Sequence, residues 1–127
     1  MNINDLTIGE AREIASMFGR DIATEAGDIA ASMIGKYCVV RTYSAGVHAG
    51  IVTARNGREI LLTDSRRIWY WEGAASLSQL ARDGTSKPSK CKFSVPVEEI
   101  LVTEAVEVLP CTAESEASIR GVQRWRS

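Results

Sequence analysis

The sequence predicts an α+β protein: an N-terminal helical arm over residues 1–35, then a small, mainly antiparallel β-sheet or partly closed barrel with one short helix over residues 36–127. Three observations predict it. Apolar residues recur every three or four positions as far as Met33, and from Tyr37 the period drops to two. Asn56-Gly57 then sits between two alternating runs, as a hairpin turn does.

The arm comes first. Thr7-x-x-Glu10 fits a capping box, the hydroxyl accepting from a first-turn amide while Glu10 reaches back to the cap. Ile8, Ala11, Ile14, Ala15 and Phe18 follow at helical spacing, and Gly19 interrupts them. A second helix over 21–34 gathers Ile22, Ala26, Ile29, Ala30 and Met33 on one side, with Gly35 just past its end. Both stripes are narrow and alanine-rich, suited to packing on the chain's own sheet or on copies of itself. "YCVVRTY" then reads as a strand with Tyr37, Val39, Arg41 and Tyr43 on one face. "HAGIVTAR" and "REILLTD" flank the Asn-Gly turn, and "RRIWYW" reads as another strand. "GAASLSQLAR" is a short helix with Ala75, Leu77 and Leu80 inward, and "DGTSKPSK" a polar loop. "CKFSVPV" and "EEILVTEAVEVLP" supply further strands, and a helical patch near 112–120 precedes Trp125.

The 127 residues, 45% hydrophobic and 24% charged, are those of one globular domain and exclude a disordered chain. No stretch approaches the roughly 20 apolar residues of a spanning helix, and "MNINDLTIGE" is no signal peptide, so a cytoplasmic protein without membrane contact is expected. Cys38, Cys91 and Cys111 lack CxxC spacing and read as reduced core thiols rather than catalytic or metal-binding groups. The net charge of −1 divides unevenly: −4 over residues 1–34, +6 over 35–95 and −3 over 96–127. The central excess fits either a solvated face or an anion site.

No GxxxxGK[ST] or GxGxxG is present, and His48 is the lone imidazole with no partner assigned by spacing. Catalysis, a metal site and a cofactor are therefore not expected. What remains is aromatic and cationic. Strand alternation puts Arg67, Trp69 and Trp71 on one face of "SRRIWYW" and Arg66, Ile68 and Tyr70 on the other. Rings stack on bases and guanidinium forks grip phosphate, so this cluster is a candidate nucleotide platform, although at least one Trp is also expected in the core under an arginine. In "VVRTYSAGVHAG", Arg41, Tyr43, Ser44, Gly46 and His48 surround a permissive loop, either an ordinary hairpin or a seat for an anion, with His48 a surface residue or a ligand contact. A pI near 5.9 argues against extended nucleic acid and for a compact phosphorylated ligand.

The blocks "VVRTYSAGVHAG", "RRIWYWEGAASLSQLA", "GTSKPSKCKFSVPV" and "ILVTEAVEVLPCTAESEASI" resemble a family of small phage and prophage proteins, that of the first described Thoeris anti-defence protein, over residues 37–125. "LTIGEAREIASMFG" looks like a leader helix found on several otherwise unrelated small phage proteins. The resemblance implies a non-enzymatic sponge in the host bacterial cytoplasm. It binds a cyclic ADP-ribose-type immune signal without cleaving it, and in some members cyclic oligonucleotides at separate sites. It also implies homo-oligomers, dimers assembling up to a hexamer. Trp69 or Tyr70 would then face the base and Arg66, Arg67 and Arg120 the pyrophosphate, with Arg120, Arg124 and Trp125 completing a pocket across a subunit boundary. The alternatives from other classes are a phage protein-interaction or assembly module and, more weakly, a single-stranded nucleic acid binder.

Overall fold

The structure, a computed structural model, describes residues 32–126. The expected helical arm lies outside the described residues up to Ala31. The elements that follow are β1 (Tyr37–Thr42), β2 (Val47–Asn56), β3 (Glu59–Tyr70), α1 (Leu77–Asp83), a 3-10 turn (Pro88–Lys90), β4 (Lys92–Phe93), β5 (Val97–Val102), β6 (Ala105–Pro110) and α2 (Ala113–Gly121). This is the α+β class expected, with the short helix expected near Leu80 and a second one, α2, at the helical patch expected near 112–120. The six strands form one antiparallel sheet, ordered β4-β3-β2-β1-β6. β5 also pairs with β3, and no ladder joins β5 to β6, so the sheet stays open.

One turn differs from expectation. Asn56 pairs with Glu59, which moves the hairpin turn one residue on to Gly57-Arg58. Gly57 has φ 62° and Arg58 is not in the positive range, the demand of a type II′ turn rather than type I′. "EEILVTEAVEVLP" is two strands, β5 and β6, turned at Thr103-Glu104.

β3 departs further. "REILLTD" and "RRIWYW" are one twelve-residue strand, bent where the registers with β2 slip between Ala49 and Ile51. Asp64, beside the slip, sits at φ 51°, a left-handed conformation that Asp tolerates better than most residues. The first part of β3 pairs with β5 and its end with β4, along the same edge. Helix α1 starts at Leu77 behind the cap Ser76, so Ala75 lies before it and is exposed, while Leu80 and Ala81 face inward.

Each sheet face has its own core. Tyr37, Val39, Ala49, Ile68 and Phe93 pack with Leu80 and Ala81 of α1 and Ile119 of α2 on one face. Cys38, Val40, Val52, Ile60, Leu62, Val102 and Ala105 pack together on the other. Fully buried side chains of the size of Phe93, Ile60, Leu62, Leu80 and Ile119 each stabilise the fold by about 1.5–3 kcal/mol. Hydroxyls tie the helices to each other: Thr112 donates to Arg82 O and accepts from Ser115 N–H, and Ser115 donates to Leu80 O.

Candidate functional site: a groove at the bend of the long strand

On the face away from the helices, β3 presents Ser65, Arg67 and Trp69. Directly paired residues share a face, so His48 on β2 joins Arg67, and Val97 on β5 joins Ser65. Together with Ser94 and Ile100 they line a groove of about 130 Å³. Gly50 makes the room: a Cβ there would lie 2.8 Å from Ser65 Cβ.

The polar groups of the groove fall into two sets. Several are already committed. Ser94 Oγ accepts from Arg67 N–H (2.7 Å) and donates to Val95 O, and Ser94 N–H donates to Arg67 O, so the serine fixes the Arg67 backbone. His48 is 1% exposed and donates Nε2–H to Ala45 O (3.1 Å), since a carbonyl only accepts. Burial, then the neighbouring Arg67 charge, pulls the His48 pKa below the ordinary imidazole value, against the raising effect of that hydrogen bond. The ring is therefore neutral at pH 7. Ser65 and Arg67 are uncommitted, as is the Nδ1 acceptor of His48 in this tautomer. The buried Ser65 hydroxyl makes no hydrogen bond, and among the described residues the half-buried Arg67 guanidinium makes neither hydrogen bond nor ion pair.

An exposed aromatic edge continues the groove. Trp69 meets Trp125 edge to face at 5.6 Å between centroids, both rings about half exposed. Lys92 Nζ lies over the rings of Trp125 and Tyr70. Trp125 is held there by its own N–H donating to Phe93 O.

The groove thus unites His48, Arg67 and Trp69 of the predicted site residues, with Trp125 and Tyr70 beside them. Trp125 arrives within the same chain and needs no subunit boundary. Arg66 corrects the sequence reading most sharply. It faces the helix side, 4% exposed, over the Phe93 ring, and donates to Ser94 O, Ile119 O and Val122 O. A guanidinium so placed holds main-chain carbonyls together instead of a ligand. Arg120 is likewise engaged, with Asp64, with Glu116 (2.8 Å) and over the Tyr37 ring. Arg41 pairs with Glu107 on the opposite face from His48, Ser44 donates to Glu104, and Tyr43 is 80% exposed. Gly46 serves to close the loop, its carbonyl accepting from both the Thr42 amide and the Thr42 hydroxyl. Arg124 is exposed, its backbone bridged to Phe93. His48 is no surface residue. Trp71, past the end of β3, packs against the helix-side core and leaves the alternation of Trp69. Ser65, Ser94, Val97 and Ile100 carry no sequence signal of a site; only the bend and the pairing gather them.

The fold and groove define a small open-sheet protein with a compact, cation-bearing cleft. The chain belongs to a family described as a domain of unknown function, DUF6948, whose profile matches residues 35–119. No curated protein matches it. Among solved structures it is similar to the P. aerophilum SmAP1 heptamer, at 17% identity and a TM-score of 0.46, over 68% of this chain and 93% of that one. Among the described residues no helix is long and apolar enough to cross a membrane.

Proposed function

We propose that the protein is a phage-encoded immune-evasion sponge that binds a small cyclic nucleotide signal, a cyclic ADP-ribose isomer or a cyclic oligonucleotide, and sequesters it without cleaving it. One observation carries this reading: a guanidinium unpaired among the described residues (Arg67) and an exposed indole (Trp69) stand two residues apart on one face, over a buried hydroxyl with no partner among those residues (Ser65). Stacking on an aromatic ring supplies about 1–3 kcal/mol per base, and a guanidinium matches acceptor-rich partners. The groove is smaller than the roughly 300–1,000 Å³ that encloses a whole drug-sized ligand. It therefore takes one planar group, and the remaining contacts come from the Trp125–Lys92 edge and from a second copy in a homo-oligomer of dimers building to a hexamer.

Titration calorimetry against cyclic ADP-ribose isomers and cyclic oligonucleotides, followed by heating the complex, tests the reading. Tight binding with recovery of intact ligand supports it. Altered ligand makes the protein an enzyme, and absence of binding to every member removes the proposal. Arg67→Glu abolishes binding if the groove is the site. A protein-interaction module would instead tolerate Arg67→Glu and lose function on Ile14→Asp or Phe18→Asp. Sedimentation at micromolar concentration reads the oligomer separately, and a monomer would remove the shared-site element alone.

A further inference from the structure

The groove holds one group that donates, one that accepts and one that does either. The Arg67 guanidinium only donates. His48 pairs with Arg67 directly across β2 and β3, and with Nε2–H committed to Ala45 O it keeps Nδ1 as a bare acceptor. The Ser65 hydroxyl, buried and unpartnered among the described residues, rotates to give or take and so binds without choosing. Both functions of the Ser94 hydroxyl are occupied, and the remaining walls are Trp69, Val97 and Ile100. Of the two groups that choose, His48 is the fixed one. Its ring is buried, and the carbonyl it addresses belongs to a pinned turn: Ala45 N–H donates to the Thr42 hydroxyl, which itself donates to Gly46 O (2.7 Å). Moving the ring proton to Nδ1 would set a lone pair against Ala45 O, so the turn holds the tautomer. Arg67 is half-buried, has no partner among the described residues, and follows the ligand.

Resting on the nucleotide-binding reading above, we infer that His48 Nδ1 is the specificity-determining acceptor of the groove, taking the amino group of an adenine whose N7 receives Arg67 while Trp69 flanks the ring. Adenine presents an acceptor and a donor side by side on this edge, N7 and the amino group, whereas an oxo purine presents two acceptors. Arg67 alone would favour the oxo base, because a guanidinium fork fills both acceptors. His48 reverses that choice. The oxo group would meet a lone pair on a ring that cannot turn away, and two desolvated acceptors would be left opposed. The Thr42–Gly46 turn thus acts on the ligand through His48, as a positioning element that never touches it.

The test pairs ligands that differ in an amino or oxo group on the base. Full-length protein is titrated at pH 7, where the His48 ring is neutral, with cyclic ADP-ribose isomers and cyclic di-AMP, each beside its hypoxanthine counterpart. The inference expects the adenine member to bind about tenfold to a hundredfold tighter in every pair that binds. His48→Leu removes the acceptor and should erase or invert that ratio, with the urea midpoint measured alongside. The chain has a single histidine, so nitrogen NMR reads the ring in the parent protein without a variant. Nδ1 should be unprotonated in the free protein, and its resonance should move with an adenine ligand and not with the hypoxanthine one. If His48→Leu does not fold, the parent's base ratio and spectrum decide. Equal affinity within the pairs, preference for an oxo base, a ratio untouched in folded His48→Leu, or a protonated Nδ1 in the free chain each overturns the inference while nucleotide binding stands. If no cyclic ADP-ribose isomer and no cyclic oligonucleotide binds, the inference and the sponge reading fall together.

Discussion

At the scale of single residues, two adjacent arginines that look interchangeable in "SRRIWYW" have opposite duties. Arg66 lies under the end of α2, its hydrogen bonds to Ile119 and Val122 reaching across more than 50 positions of sequence. No local pattern reports such a contact, which is why the sequence offered both arginines for the same site. Arg66→Met leaves three carbonyls without their charged donor, and the urea midpoint should fall by the equivalent of about 3 kcal/mol or more. Arg67→Gln breaks no side-chain hydrogen bond or ion pair among the described residues and should shift stability by less than about 0.5 kcal/mol. His48 is legible in another way, through pH. Its folded pKa lies below the unfolded value of about 6.5, so the unfolded chain binds more protons once pH drops beneath that point. The contribution of the neutral ring is full above pH 6.5 and is lost as pH falls toward the folded pKa. The slope from this one group is no steeper than about 1.4 kcal/mol per pH unit. His48→Asn should flatten it over pH 7 to 5.5 in urea titrations.

At the scale of elements, the periodicity change at Tyr37, the first hairpin and the short helix near Leu80 were readable because each follows from neighbours a few positions apart. The bend in β3 was not. "LLTDSRR" carries Asp64 and Ser65 where a turn between strands is the local reading. Pairing of the same strand with β2 on one edge and with β5 and β4 on the other keeps it continuous instead. That bend places Ser65 on the groove face, so half of the site was invisible for the same reason. Close strand approach at this point depends on Gly50. Gly50→Ala puts a Cβ 2.8 Å from Ser65 Cβ and 3.0 Å from its Cα, too near for a side-chain rotation to relieve. The expected cost is about 1–3 kcal/mol by denaturant unfolding, and the nucleotide binding proposed for the groove should weaken with it as β2 moves away from β3.

At the scale of the whole molecule, the sheet buries a different core on each face, and the thiols report on both. Cys38 is fully buried, and burial pushes its pKa up to about 11, while Cys111 on the helix side is also raised by burial. Thiolate is therefore scarce at pH 8, and alkylation of Cys38 should follow global unfolding, speeding up in step with added urea. A Cys38 that reacts as fast in native buffer as in 6 M urea would contradict this core. The C-terminal stretch links the two sides of the sheet in one run: Val122 O receives Arg66 beneath α2, and Trp125 a few residues later rests on Trp69. A proteolytic nick after Gly121 would thus strip a buried cation of an acceptor and a cleft of its flanking indole in a single event. Fusions joined beyond Arg126 spare both, whereas a tag replacing residues 122–125 dismantles them together.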